Sequence, residues 1–265
     1  FLFLTSSCGK SRALLRQSNL LGGVLTRSFS SRSSAPSIEK LQSLAALFQI
    51  PRQDRDKGWQ TLFCAHVTEA SLKLGSPDVK QGPDGFLYMH LTVPISNEPF
   101  EAYSIENLRE PFLMKNGLGV VVESSKDTVE WVFSHGDIVN LHLNNEYFTK
   151  RSCEEKKLTK GEFVISAGTE YLVGQPSESY LPDDTRNAIR TFLEVNGVKN
   201  PKVTLLVRKP EGQNHAVKEL CFYCEKSSSK DMNDIYKEGV AWYLPRQYNV
   251  LFVHNDDGEF SFQDL

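Results

Sequence analysis

From residue 171 onward the chain alternates strand-like and helix-like hydrophobic patterns, and their order restricts the fold more than any other feature. Tyr171-Leu172-Val173 is a short aromatic and β-branched run closed by the turn residues Gly174-Gln175-Pro176. Leu181-Pro182-Asp183-Asp184 then opens a helix, with Pro in the first turn and carboxylates where the helix dipole favours them. Thr185, Ala188, Ile189, Phe192 and Leu193 recur at helical spacing as its buried stripe, and Gly197 ends it. Val203 to Val207 and Leu220 to Cys224 have strand composition. Ser229 or Asp231 caps a second helix whose stripe is Met232, Ile235, Tyr236, Val240 and Tyr243, with Pro245 after it. Tyr248 to His254 is a further strand, and Asn255-Asp256-Asp257-Gly258 turns it into Phe260-Ser261-Phe262.

The order β-α-β-β-α-β predicts an α+β domain over residues 161–265 with a ferredoxin-like antiparallel sheet. A second α/β layer is expected over residues 53–150. Ile38, Leu41, Leu44, Ala45 and Leu47-Phe48 mark a helix within an N-terminal helix/linker at 30–52, stopped by Pro51. Asp54 or Asp56 caps a second helix carrying Trp59, Leu62, Phe63, His66, Val67, Ala70 and Leu74, with Gly75 as terminator. Gly75 to Gly85 has loop composition. Phe86 to Val93, Val120 to Val122, Trp131 to Phe133 and Ile138 to Leu143 read as strands, and Ser104 to Leu108 as the start of a short helix. The charged run Lys150 to Lys160 is expected to separate the two layers.

Charge is distributed unevenly. The chain has 265 residues and a formal net charge of −3, yet no Asp or Glu precedes Glu39, whereas Lys10, Arg12, Arg16, Arg27 and Arg32 do, among many serines. An Arg- and Ser-rich, acid-free segment has the composition of an organelle transit peptide. Leu14, Leu15, Leu20, Leu21 and Leu25 give it parts of an apolar helix face. Arg27-Ser28-Phe29-Ser30 resembles the mitochondrial processing pattern, which implies a transit peptide at 1–29 cut between Phe29 and Ser30. Loss of Lys10, Arg12, Arg16 and Arg27 takes the basic residues from 30 to 26 against 33 acids, so the remaining chain carries −7. That balance disfavours nonspecific binding to a nucleic-acid backbone. No apolar run approaches the ~18 residues that span a bilayer.

The stretch Glu170-Tyr171-Leu172-Val173-Gly174-Gln175-Pro176, the helix after Tyr180-Leu181-Pro182, the strand at Val203 and the later helix–strand pair resemble the C-terminal half of the bacterial SseB-like (enhanced serine sensitivity) proteins. Trp59-Gln60-Thr61-Leu62-Phe63 on a helix before a Gly85-Phe86-Leu87 strand is similar to their N-terminal half, extending the likeness over residues 53–262. The resemblance implies a paired α+β architecture and brings no catalytic residues with it. A transit peptide departs from the bacterial pattern and implies an organelle version with its own partner.

The residue sets that carry chemistry elsewhere are weakly formed here. Cys221-Phe222-Tyr223-Cys224 is a C-x-x-C, but it lies in a strand pattern, where positions three apart face opposite sides, and not at the helix N-terminus that stabilises a thiolate. His66, His90 and His142 are a conceivable metal set without ligand spacing. Ser134-His135-Gly136-Asp137 contains triad residue types too close in sequence to converge, and reads as a turn. Gly117-Leu118-Gly119 precedes a strand, not the helix a phosphate cradle needs. Glu154-Glu155, Asp183-Asp184 and Asp256-Asp257 fit a charge run, a helix start and a hairpin. No cofactor or metal is therefore expected. The aromatic residues lack interleaved basic positions for stacking RNA. Trp242-Tyr243-Leu244-Pro245-Arg246, at a helix end, offers Trp242 and Arg246 as contacts for a protein partner, since Trp and Arg dominate interface hot spots. The expected function is a noncatalytic accessory protein of the mitochondrial matrix. The alternatives are an organelle enzyme built on the scattered His, Cys and acids, or an RNA-associated role for the sheet face.

Overall fold

A computed structural model describes residues 36–95, 99–124, 128–149, 171–208, 217–224, 230–253 and 261–265. The transit segment with Arg27, Phe29 and Ser30, the charged run Lys150 to Lys160 with Glu154-Glu155, Glu170, and the turn Asn255 to Gly258 lie outside the described residues. The chain is α+β, with two mixed sheets, and divides between Ile138 and Val139 into two compact units. Among the described residues no helix is long and apolar enough to cross a membrane.

The first unit begins with α1 (Ile38–Leu47), capped by Ser37 Oγ on the Lys40 amide, and α2 (Lys57–Val67), capped by Asp56 on the Trp59 amide at 2.8 Å. The Trp59 indole N–H donates to the Leu47 carbonyl at 3.0 Å and ties the two helices together. Strands β1 (Lys73–Gln81), β2 (Leu87–Thr92), β3 (Gly119–Glu123) and β4 (Val129–Phe133) form a sheet in that order. The outer pairs are antiparallel. β2 and β3 are parallel, joined through α3 (Ile105–Leu108) and a π-helical turn, Arg109–Met114. Met89 opposite Val120, Leu91 opposite Val122, and Val120 opposite Phe133 are all buried and share one face by the two-residue period. The alternate positions Tyr88, His90, Val121 and Glu123 form the other face, which is also buried.

Two local expectations are corrected here. The α2 helix stops at Val67 instead of reaching Leu74, and most of the expected loop is strand β1. Gly75 and Pro77 are tolerated in that strand because it is an edge, and its pairing shifts register between Leu74 and Val79. The apolar run Ile138 to Leu143 is not a strand but lies in α4 (His135–Asn144). Residues 135–141 are buried throughout, so the run shows no 3.6-residue stripe and imitates a buried strand.

The second unit holds β5 (Tyr171–Gly174), α5 (Asp183–Val195), β6 (Lys202–Arg208), β7 (Val217–Tyr223), α6 (Lys230–Tyr243), β8 (Asn249–Val253) and β9 (Gln263–Asp264). The sheet runs β5-β6-β7-β8 in chain order, with β9 on β6 at Lys202 and Val203, beside the stretch that pairs β5. The expected antiparallel, ferredoxin-like sheet is thus corrected to a mixed one. α6 carries the chain back to the starting end of β7, so β8 pairs with β7 in parallel, and no strand is interleaved between them. Helix α5 buries Thr185, Ile189, Phe192 and Leu193, and its C-terminus turns at Gly197 with φ +94°. A β-carbon at Gly239 would lie 1.9 Å from Phe192 Cζ, so the missing side chain in α6 is what admits the Phe192 ring.

Candidate functional site

The expected partner contacts sit where α6 ends. Trp242 is half-buried, edge-on to the Tyr243 ring at 4.9 Å between centroids. Leu244 and Pro245 are buried, and the Tyr248 amide closes a turn on the Pro245 carbonyl at 2.9 Å. Arg246 is left exposed on this turn, its guanidinium 4.6 Å above the Phe148 ring. Next to it, Gln247 Nε2 donates to Asn140 Oδ1 at 2.6 Å, Asn144 Nδ2 donates to the same oxygen at 2.8 Å, and Asn140 Nδ2 donates to the Glu146 carbonyl at 2.7 Å. The turn is anchored below by Tyr248, whose ring stacks on Tyr180 at 4.3 Å and whose hydroxyl donates to the Tyr180 carbonyl at 2.7 Å. Trp242 and Arg246 are legible in the sequence because they are local to one helix end. Phe148, Asn140 and Gln247 carry no signal of their own, since only the fold brings them there.

A second polar constellation has no signature in the sequence. Glu123, at the end of β3, is buried and accepts a hydrogen bond from Lys80 of β1 across the intervening strand. Its other carboxylate oxygen lies 2.7 Å from His90 Nε2 on β2. Burial works to raise the Glu123 carboxyl, but the hydrogen bonds and positive charge of Lys80 and His90 outweigh it and hold it below the ordinary carboxylate range. The His90 Nδ1 lies 3.2 Å from the Pro77 carbonyl oxygen. A β-carbon on Gly75 would be 2.1 Å from that nitrogen, so the ring lies directly against the β1 backbone. The conceivable metal set of His66, His90 and His142 does not assemble. Among the described residues no three His, Cys, Asp or Glu side chains converge to hold a metal ion.

The remaining candidates have structural work to do. Ser134 Oγ accepts from the Asp137 amide at 3.1 Å, and Asp137 Oδ2 accepts from the Ser134 amide at 3.0 Å, a reciprocal cap that opens α4. His135 is fully buried, with Nδ1 3.2 Å from the Leu118 carbonyl oxygen, and burial drives its imidazole down to about 4. At Asp183-Asp184 the Asp183 amide donates to the Glu178 carboxylate, at 3.0 Å to Oε2. Arg208 grips Glu219 with two hydrogen bonds of 2.7 and 2.9 Å. Cys221 is pushed up to about 12 by burial and by Glu219, and Cys224 to about 12 by burial. Both thiols are therefore poor nucleophiles, the opposite of what a C-x-x-C redox pair needs. At pH 8 only about one in ten thousand of each is thiolate. Iodoacetamide followed by peptide mass mapping is expected to leave Cys221 and Cys224 unmodified until denaturant is added. Rapid native labelling of either would refute their burial.

Set against known proteins, the chain matches no family model, and no curated protein and no solved structure is found similar to it.

Proposed function

We propose that this is an SseB-like accessory protein of the mitochondrial matrix, which binds a protein partner through Trp242 and Arg246 at the end of α6. The observation that carries the reading is the preorganised turn there. Arg246 is an exposed residue whose guanidinium is stacked on Phe148, beside a half-buried indole. Stacking restricts the long Arg side chain before a partner arrives, which lowers the ordering cost of an interface. A half-buried indole is the residue type most often found as an interface anchor. The localisation rests on the acid-free, basic N-terminal composition and on Arg27, Phe29 and Ser30. The binding role also draws on the resemblance described above, which brings no catalytic residues.

The test uses tagged full-length protein in isolated mitochondria. The mature form is expected to begin at Ser30, to be protected from external protease, and to migrate with a defined protein partner. The double variant Trp242→Ala/Arg246→Ala is expected to weaken that association at least tenfold, two hot-spot losses of about 1–2 kcal/mol each, measured at a temperature where circular dichroism shows the variant still folded. A lone monomer in the organelle, an uncut N-terminus, or undiminished binding by the variant would each overturn the corresponding part of the reading.

A further inference from the structure

We propose that His90 is a pH-sensitive latch, which in its protonated form ties the edge strand β1 to the rest of its sheet. The inference comes from what each ring nitrogen faces. The Nε2 atom is 2.7 Å from Glu123 Oε2, and Nδ1 is 3.2 Å from the Pro77 carbonyl oxygen. A carbonyl oxygen only accepts. The Glu123 carboxylate, bonded to Lys80 through its other oxygen, is held ionised and also only accepts. Imidazole carries two N–H donors only as the imidazolium. The neutral ring has one, and would turn a lone pair toward one of the two acceptors.

The place of this bond gives it leverage. Pro77 lies between Leu74 and Val79, where the register of β1 on β2 breaks. Ladder pairing resumes on either side, at Leu74 opposite Leu91 and at Val79 opposite Met89. Across the gap the His90 ring lies against Gly75 and reaches the Pro77 carbonyl, so the side chain bridges the stretch where the ladder is interrupted. On deprotonation the charge-assisted partner Glu123 retains the remaining N–H, and the bond to Pro77 is the one released. The charged groups around the latch are Glu123 from β3 and, from β1, Lys80, Lys73 in register with Thr92, and Asp78, whose charge acts on Tyr103. Asp84, in the β1–β2 turn, is bonded to the Tyr88 hydroxyl. Among the described residues, Glu123 is the anion bonded to the ring and Lys80 is the cation bonded to that anion.

The experiment uses the full chain, as wild type and as the His90→Gln variant. Ring nitrogen NMR shifts of His90 are followed across a pH series together with hydrogen exchange over residues 73–81, corrected for the intrinsic pH dependence. Two protonated ring nitrogens are expected at the acidic end and one at the alkaline end. Protection of residues 75–79 is expected to fall about tenfold across that titration, the weight of one hydrogen bond to a charged group, while residues 87–92 are unchanged. His90→Gln, which cannot carry the charge, is expected to show the low protection at both ends of the series. A ring with a single N–H throughout, or protection of 75–79 that does not follow the ring's titration, overturns the latch.

Discussion

Acidification from pH 6.5 to pH 4 is expected to remove about 3 kcal/mol of folding stability through one side chain, His135. Its imidazole is fully buried at the start of α4 and is driven from 6.5 to about 4 by loss of solvent, against a smaller opposing pull from the Leu118 carbonyl. Each tenfold loss of proton affinity corresponds to about 1.4 kcal/mol. In the unfolded chain the ring takes up a proton near its ordinary value, and in the folded chain only near 4. Between those values the unfolded state binds more protons, so stability rises with pH and is lost as pH falls through the window. Burial is complete, so solvent screening does not reduce the figure. Urea unfolding at pH 7, 5 and 4 measures it. His135→Gln keeps a hydrogen-bond donor near Leu118 but cannot titrate. Its stability relative to wild type is expected to improve by about 3 kcal/mol between pH 7 and pH 4. Parallel curves for the two proteins would show that the ring is not dry. Glu123 acts later in the same direction. Its carboxyl is held below its ordinary value, so its contribution is present above the ordinary carboxylate range and is lost as pH falls further, through its folded value.

Where sequence and structure agree, the pattern has a local cause. Helix α5 is bounded by Pro182 at its cap and Gly197 past its end, and its stripe of Thr185, Ile189, Phe192 and Leu193 is buried as the spacing predicts. Helix α6 and strands β6, β7 and β8 follow the same logic of stripe, alternation and punctuation. The disagreements also have causes. Glycine and proline at 75 and 77 signal a loop in any window. Only the edge position and the register break make them a strand. Helix α4 is buried on all sides over its first two turns, which erases the stripe and leaves the Ser134/Asp137 cap as its one local signal. Sheet order cannot be read from element order alone, because parallel or antiparallel pairing depends on where each helix returns the chain. The same limit applies to the sites. Trp242 and Arg246 are four positions apart on one helix end. Lys80 and Glu123 are 43 positions apart and meet only because β2 spaces β1 and β3 across the sheet.

Phe63→Ala is expected to cost about 3–5 kcal/mol. Its ring is fully buried, stacked on Trp59 at 5.0 Å and on Phe133 at 6.0 Å, and tilted against Trp131 at 5.2 Å and Phe48 at 6.0 Å. Those four partners come from α2 itself, from β4 and from the end of α1, so the one ring joins three elements that share no backbone hydrogen-bond ladder. Its loss leaves a cavity bounded by aromatic rings, which fill a void poorly because each has only two rotatable side-chain bonds. Arg55 sits on the rim of this cluster, 4.5 Å above the Trp59 ring and paired with Glu130 at 2.8 Å. A shift of Trp59 into the cavity would loosen that ion pair as well. Leu62→Ala, one position earlier on the same helix, is the matched control. Leu62 is 51% exposed and is expected to cost less than about 1 kcal/mol. Thermal unfolding of both variants decides the point. If the two midpoints fall equally, the aromatic cluster is not the core of the first unit and the α2–β4 packing described above is wrong.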